Sequence, residues 1–252
     1  MEKYLIIFDI GGVFRDSSKA LNEGYKLGFK FLSIKYTFNY IDTWHLRGFG
    51  KYNNSLNCIK ALLALTFNPK IKLKTLLNDK NGEKKMDALI SKYTQKSFIE
   101  KAEQIEKIYK KYFNSAKAKK LIKIFPNSKS IIKKLKTKYD LAIFTNSSSR
   151  TIKRDISVLG LNNFSLILSE EDVVKKKPSG EGILKIISSL QIPKNKVYYV
   201  GDTVSDIIAA NDAGCKSIVL LSGMGTKVQL SRAKPNIIFK NLSEMTNYFM
   251  KL

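Results

Sequence analysis

The sequence predicts an α/β fold in which a doubly wound parallel sheet carries an inserted α-helical domain. Three observations predict it. Five short runs rich in β-branched or aromatic residues show almost no alternation, as strands covered on both faces should. The segments between the later runs carry apolar residues three and four positions apart, which places them on one helical stripe. The interval from Phe8 to Leu141 is far longer than any ordinary connection, so it must hold structure of its own. With 252 residues, 44% of them hydrophobic and 26% charged, the chain has enough apolar material for a sizeable core.

In chain order, Tyr4–Phe8 is apolar throughout and runs at once into an acid, the pattern of a buried strand and not of a signal peptide. Residues 18–118 are expected to form the inserted helical domain, because Leu56, Ile59, Leu62 and Leu63 fall at helical spacing and strand signals there are scarce. The α/β core is then 1–17 and 119–252. Pro126 and Asn127 mark the turn that re-enters it. Ile131, Ile132 and Leu135 predict a helix, 141–144 a strand, and Ile152, Ile156 and Leu159 the next helix. Leu166–Leu168 is the third strand, and Ile183, Leu184 and Ile187 form the stripe of the helix after it. Pro193 with Lys194 and Asn195 makes a turn before the strand at 197–200, and 218–221 closes the series. Strand and helix in alternation imply parallel strands joined by right-handed crossovers.

The formal charge of +24 would suit nucleic acid, anionic lipid or phosphorylated small molecules. The excess is nearly all lysine, spread along the chain without an arginine-rich tract, so solvated lysine faces are expected and nucleic acid is not the expected partner. No stretch approaches the roughly 18 apolar residues of a membrane span, and no membrane partner is expected. Cys58 and Cys215 are far apart and fit neither a disulfide framework nor a zinc site, which suits a reducing, cytoplasmic compartment. The sequence carries no signal for oligomeric state.

In an open parallel sheet, ligands bind beyond the carboxyl ends of the strands, where the topology reverses. Here those ends are polar: Asp9 to Gly12 after the first strand, Thr145 to Ser147 after the second, and Gly201 to Thr203 after the fourth, with Asp206 one turn further on and Lys177 after the third. Carboxylates, a hydroxyl and a lysine in one crevice suit phosphoryl transfer assisted by a hard cation.

The segments FDIGGVFRDS, IFTNSS, KKPS and GDTVSDIIAANDAG, in that order, resemble the four motifs of the haloacid dehalogenase-like superfamily. The resemblance is to its phosphatase and phosphomutase branch, phosphoglycolate phosphatase-like, with a Rossmann-like core and an inserted helical cap. It implies a Mg2+-dependent phosphatase acting on a small phosphorylated metabolite, sugar phosphates ahead of nucleotides. Asp9 would be the nucleophile that becomes an aspartyl phosphate. Thr145 and Lys177 would bind the transferring phosphoryl group, with Asn146 beside it. Asp9, the Gly11 carbonyl and Asp202 would hold Mg2+, and Asp206 would order a metal-bound water or Lys177.

One position departs from the pattern. Phosphatases of this kind carry an aspartate two residues after the nucleophile, as general acid and base, and this chain has Gly11. Three consequences stay open: a substrate whose leaving group departs easily, an acid lent by the cap, or a protein that binds phosphorylated ligands without hydrolysing them. Leu46 to Lys51 resembles the cap loop that reads the leaving group in capped sugar-phosphate enzymes, and Arg47 or Lys51 would hold a second anionic group there. His45, the sole histidine, is a candidate for the absent acid. A small residue at Gly11 and a cap lysine, Lys51, also resemble enzymes of the superfamily that cleave a carbon–phosphorus bond through a Schiff base.

Overall fold

The computed structural model describes residues 4–160 and 163–252. They form two compact units. The first comprises the stretch ending at Asp16, then Ile124–Gly223 and Ala233–Leu252; the second comprises Ser17–Lys123 and Met224–Arg232.

Among the described residues the strands are β1 (Tyr4–Phe8), β2 (Arg15–Asp16), β3 (Lys123–Ile124), β4 (Tyr139–Phe144), β5 (Leu166–Leu168), β6 (Val197–Gly201), β7 (Lys216–Leu220) and β8 (Ile237–Phe239). Six of them make one sheet in the order β5-β4-β1-β6-β7-β8, every pair parallel. In register, Ile6 lies opposite Leu141 on one side and Tyr198 on the other. The order reverses at β1: β4 and β5 extend the sheet one way, and β6, β7 and β8 the other. The strands were legible because a strand covered on both faces has no reason to alternate. Of the strands in this sheet, β8 is not among the expected ones, nor are the two-residue strands β2 and β3 outside it.

The two-residue repeat of β1 shows how both faces are filled. Ile6 and Phe8 belong to one buried cluster, with Ile131, Ile132 and Leu135 from a helix at Ser128–Lys136, Ile152 and Ile156 from Ser149–Leu159, and Phe249 from Leu242–Phe249. Leu5 and Ile7 belong to the other, with Ile183 and Ile186 from Glu181–Leu190 and the alanines of Val204–Ala213. Turn chemistry sets the boundaries. Asn127 adopts the left-handed conformation (φ 62°) before Ser128–Lys136, and Gly214 does so (φ 71°) at the end of Val204–Ala213.

The second unit is helical. Its main helices, α1 (Ser18–Phe31), α2 (Tyr40–Arg47), α3 (Ser55–Phe67), α4 (Leu73–Asn78), α5 (Gly82–Ile90) and α6 (Lys96–Phe113), share one apolar core. Tyr25 of α1 stacks on Tyr109 of α6 with ring centroids 4.7 Å apart. Met224–Arg232, which sequence reading places in the α/β core, assembles with these helices instead. Met224 is buried in their core, its carbonyl receives His45 Nδ1 at 2.8 Å, and Gln229 Nε2 donates to the His45 carbonyl at 3.1 Å. Those anchors come from residues distant in sequence, which local pattern does not reveal. Both cysteines are buried and free, and no helix among the described residues is long and apolar enough to cross a membrane.

Candidate active site

The ends of β1, β4 and β6 converge on one acidic cluster. Asp9 directly follows β1, and its N–H donates to the Val200 carbonyl at 2.9 Å, so it is aligned as one more strand residue. Thr145 is fixed in the same way after β4, by an N–H donated to the Leu168 carbonyl at 3.1 Å. Asp202 follows β6, and Asp206 stands in the first turn of the helix Val204–Ala213. Asp9, Asp202 and Asp206 are all buried, and a carboxylate oxygen of each lies within 4.8 Å of the others.

Gly12 has φ +71°, and a Cβ there would overlap the Asp202 carboxylate. A Cβ on Gly223 would do the same, so the loops after β1 and β7 close directly onto Asp202. The turn after Asp9 is held by Gly12 N–H to the Arg15 carbonyl at 2.9 Å and Arg15 N–H to the Ile10 carbonyl at 3.0 Å. Gly11 itself is not among the residues with positive φ, so its backbone would accept a side chain.

Lys177 enters the cluster from the loop after β5. Its Nζ lies 2.7 Å from Asp206 Oδ1, 2.9 Å from the Tyr199 hydroxyl and 3.2 Å from Asp9 Oδ2. The loop is pinned on both sides of the lysine. Asn146 spends both ends of its amide on the Lys177 backbone, Oδ1 accepting from the N–H at 3.0 Å and Nδ2 donating to the carbonyl at 3.1 Å. Glu181 accepts the N–H groups of Val174 and Lys175 at 2.9 and 2.8 Å. Asp206 is equally committed: its Oδ2 accepts from the Asp202 N–H, the Thr203 N–H and the Thr203 hydroxyl, at 3.1, 2.9 and 2.6 Å. That pattern closes a capping box on the helix and leaves Asp206 as the anchor of Lys177.

Burial and pairing set the protonation states. Burial works against a charged Lys177, but Asp206 and Asp9 outweigh it and hold the ammonium well above its ordinary range. Burial likewise opposes ionisation of Asp206, and there Lys177 and the Thr203 hydroxyl win, leaving the carboxyl below its usual range. At Asp9 burial dominates and raises the carboxyl, with Lys177 opposing it and the charge of Asp206 adding to it. Asp9 Oδ1 is buried without a hydrogen-bond partner. An orphaned carboxylate oxygen in an all-oxygen donor set fits a hard divalent cation such as Mg2+.

Arg15 links the turn after Asp9 to the loop after β4. Its guanidinium lies 2.5 Å from Asp155 Oδ2 and donates to the Ser147 hydroxyl at 3.1 Å, and both charged side chains are buried. Sequence reading missed Arg15, Asp155 and Tyr199. Arg15 stands in the first motif as an unremarkable arginine, and its partner is far away in sequence. Tyr199 is read from the sequence as one more core aromatic.

The remaining candidates lie in the helical unit. Arg47, at the end of α2, is buried and donates to the Tyr25 hydroxyl at 2.7 Å and to Asn53 Oδ1 at 2.8 Å. Lys51 has a half-exposed side chain and pairs with Asp87 at 2.7 Å. His45 uses Nδ1 on the Met224 carbonyl.

The model of the haloacid dehalogenase-like hydrolase family matches residues 53–220, more than half of the chain, beginning after the Asp9 turn. A phosphoglycolate phosphatase of Pasteurella multocida is 27% identical over 124 residues, covering 48% of this chain and 55% of that protein. Another, from Photorhabdus laumondii, is 30% identical over 124 residues and covers 48% and 53%. The chain thus spans about half the length of the curated relatives it matches. Among solved structures, one from Lactobacillus delbrueckii subsp. bulgaricus aligns over 98% of both chains with a TM-score of 0.75 at 17% identity. A haloacid dehalogenase-like family hydrolase of Streptococcus pneumoniae aligns over 98% of both with a TM-score of 0.65 at 19% identity. At that identity the likeness shows the fold.

Proposed function

The chain belongs to the haloacid dehalogenase-like hydrolase family, and from that premise we propose that it is a Mg2+-dependent phosphatase of a small phosphorylated metabolite, acting through an aspartyl phosphate on Asp9. The observation that carries the reading is the buried set of Asp9, Lys177 and Asp206, with Asp202 and Thr145 beside it. A nucleophilic carboxylate, a locked ammonium and a cation site are the parts that phosphoryl transfer needs.

Asp9, Asp202 and the Gly11 carbonyl would hold the Mg2+, which would neutralise substrate charge and keep Asp9 ionised against its burial. Asp206, committed to Lys177 through one oxygen and to Thr203 and the Asp202 N–H through the other, acts through Lys177. The nucleophile attacks phosphorus; its bond to phosphorus forms as the ester P–O bond breaks, and the leaving oxygen departs as the anion, to be protonated by solvent. Thr145 and Lys177 hold the equatorial oxygens, where charge stabilisation does most of the work. Water then hydrolyses the acyl phosphate and restores Asp9. Asn146 contributes by fixing the Lys177 backbone.

Gly11 offers no side chain for the proton transfers, a contribution typically worth about 100- to 10,000-fold. That favours substrates whose leaving group departs easily, anomeric sugar phosphates and acyl phosphates above all. We read the helical unit, 18–118, as the cap. Within it Lys51 is the better candidate for a second anionic group, since its side chain is half exposed and its one partner, Asp87, is partly exposed too, whereas Arg47 is buried with two arms engaged.

Phosphate release from p-nitrophenyl phosphate, phosphoglycolate and a panel of sugar and nucleotide phosphates, with Mg2+ or with EDTA, tests the reading. Turnover that needs the cation and is greatest on good leaving groups supports it. Folded protein that binds phosphorylated ligands tightly and releases no phosphate would support the alternative that Gly11 leaves open, a binding or regulatory protein.

A further inference from the structure

We infer that Tyr199 is a positioning residue for Lys177: with Asp206 it occupies two of the three ammonium N–H groups, so that the third is aimed at Asp9, where the phosphoryl group must arrive. The inference rests on the phosphatase reading above. An ammonium has three donors and no acceptor. Here two are spent as hydrogen bonds, on Asp206 at 2.7 Å and on Tyr199 at 2.9 Å, and Asp9 Oδ2 lies 3.2 Å from the nitrogen as an ion pair. The longest of these separations is the one to the nucleophile, and it is the one not closed by a hydrogen bond.

The tyrosine is built to be an acceptor. Its own O–H donates to the Phe144 carbonyl at 2.9 Å, at the end of β4, so the lone pairs of the oxygen are left for Lys177. Its separation from Asp206 Oδ1, 3.4 Å, is long for an O–H bond to a carboxylate, which agrees with the proton lying toward Phe144. The ring is fully buried in the middle of β6 and cannot swing away. The second anchor, Asp206, is fixed by its three donors on another element. Two rigid acceptors on β6 and on the following helix determine the rotation of the ammonium about its last bond. A phosphoryl oxygen has only to displace the weakest contact.

Asn146 holds the backbone of Lys177, so loss of the tyrosine hydroxyl leaves the lysine in place and alters only the aim of its head group. The experiment compares the native protein with Tyr199→Phe and with Tyr198→Phe, a hydroxyl removed from the neighbouring residue on the opposite face of β6. Dissociation constants for inorganic phosphate in the presence of Mg2+ are measured by calorimetry, and kcat and KM with p-nitrophenyl phosphate, well below each variant's unfolding temperature. A merely structural hydroxyl would lower the unfolding temperature and leave these constants unchanged. We expect Tyr199→Phe to weaken phosphate binding and lower kcat/KM by about 10-fold, the size of one lost hydrogen bond to a charged group, with Tyr198→Phe unchanged. Should Tyr199→Phe not fold, Tyr199→Met fills the site flexibly without a strong acceptor and gives the same reading. Native protein that binds phosphate no more tightly than the Tyr199 variants overturns the inference and leaves the phosphatase reading intact. Native protein that neither binds phosphate nor turns over any substrate overturns both.

Discussion

Lys177 Nζ and Asp206 Oδ1 stand 2.7 Å apart with both side chains buried, and Asp206 takes three further donors on its other oxygen. Removing one partner of such a pair leaves the other charge uncompensated. Asp206→Ala is therefore expected to cost about 3 to 5 kcal/mol in urea denaturation. Asp206→Asn, which keeps an acceptor for the Thr203 groups, should cost less. Both variants should lose turnover, because the ammonium loses an anchor.

The loop that carries Lys177 is held by Glu181, which also pairs with Lys185 at 3.0 Å. Two backbone N–H donors, with Lys185 in support, push its carboxyl down to about 2 from an ordinary value of 4.5. A depressed carboxylate contributes stability that is complete above its unfolded value and disappears as pH falls through its folded value. Glu181→Gln should thus be less stable than the native protein at neutral pH and should lose less stability between about pH 4.5 and pH 2. Urea midpoints across that range check the slope. Equal slopes for the two proteins would contradict the assignment.

Arg15 and Asp155 form a buried pair that is structural in cost and positioning in effect. Asp155 also accepts from Arg154 at 3.0 Å, so loss of Arg15 leaves it partly compensated, whereas loss of Asp155 strands Arg15. Asp155→Leu should cost on the order of 3 kcal/mol or above, and more than Arg15→Met. In the double variant the two effects should be less than additive by at least about 1 kcal/mol, which a double-mutant cycle measures directly.

Adjacent glycines in the first motif should respond in opposite ways. Gly12→Ala forces a side chain into the Asp202 carboxylate at a positive φ and should abolish activity. Gly11→Asp meets no such backbone restriction and would supply the absent acid and base. Its kcat on alkyl phosphates should rise by up to about 100- to 10,000-fold, with little change on p-nitrophenyl phosphate, whose leaving group needs no proton.

Much of this molecule could be read from its sequence, for a physical reason. Buried parallel strands are apolar without alternation, and ligands of such sheets bind at strand ends, so Asp9, Thr145 and Asp202 stand out by position as candidates. Relationships across the fold did not. Asn146 reads as a phosphate contact, and its amide turns out to be spent on the Lys177 backbone. Tyr199 reads as packing, and its hydroxyl turns out to face an ammonium. Arg15 finds its carboxylate on a helix far along the chain, and Met224–Arg232 joins helices whose sequence lies long before it. None of these pairings leaves a local periodicity.

The central claim is that Asp9 becomes covalently phosphorylated, and acid-quenched single turnover followed by peptide mass spectrometry tests it most directly. A substrate hydrolysed in the presence of Mg2+ should leave the mass of one phosphoryl group on the peptide containing Asp9 in the native protein and none in Asp9→Asn, which should also lose turnover. Full turnover retained by Asp9→Asn, or turnover in the native protein with no phosphoryl group ever found on that peptide, would contradict the account.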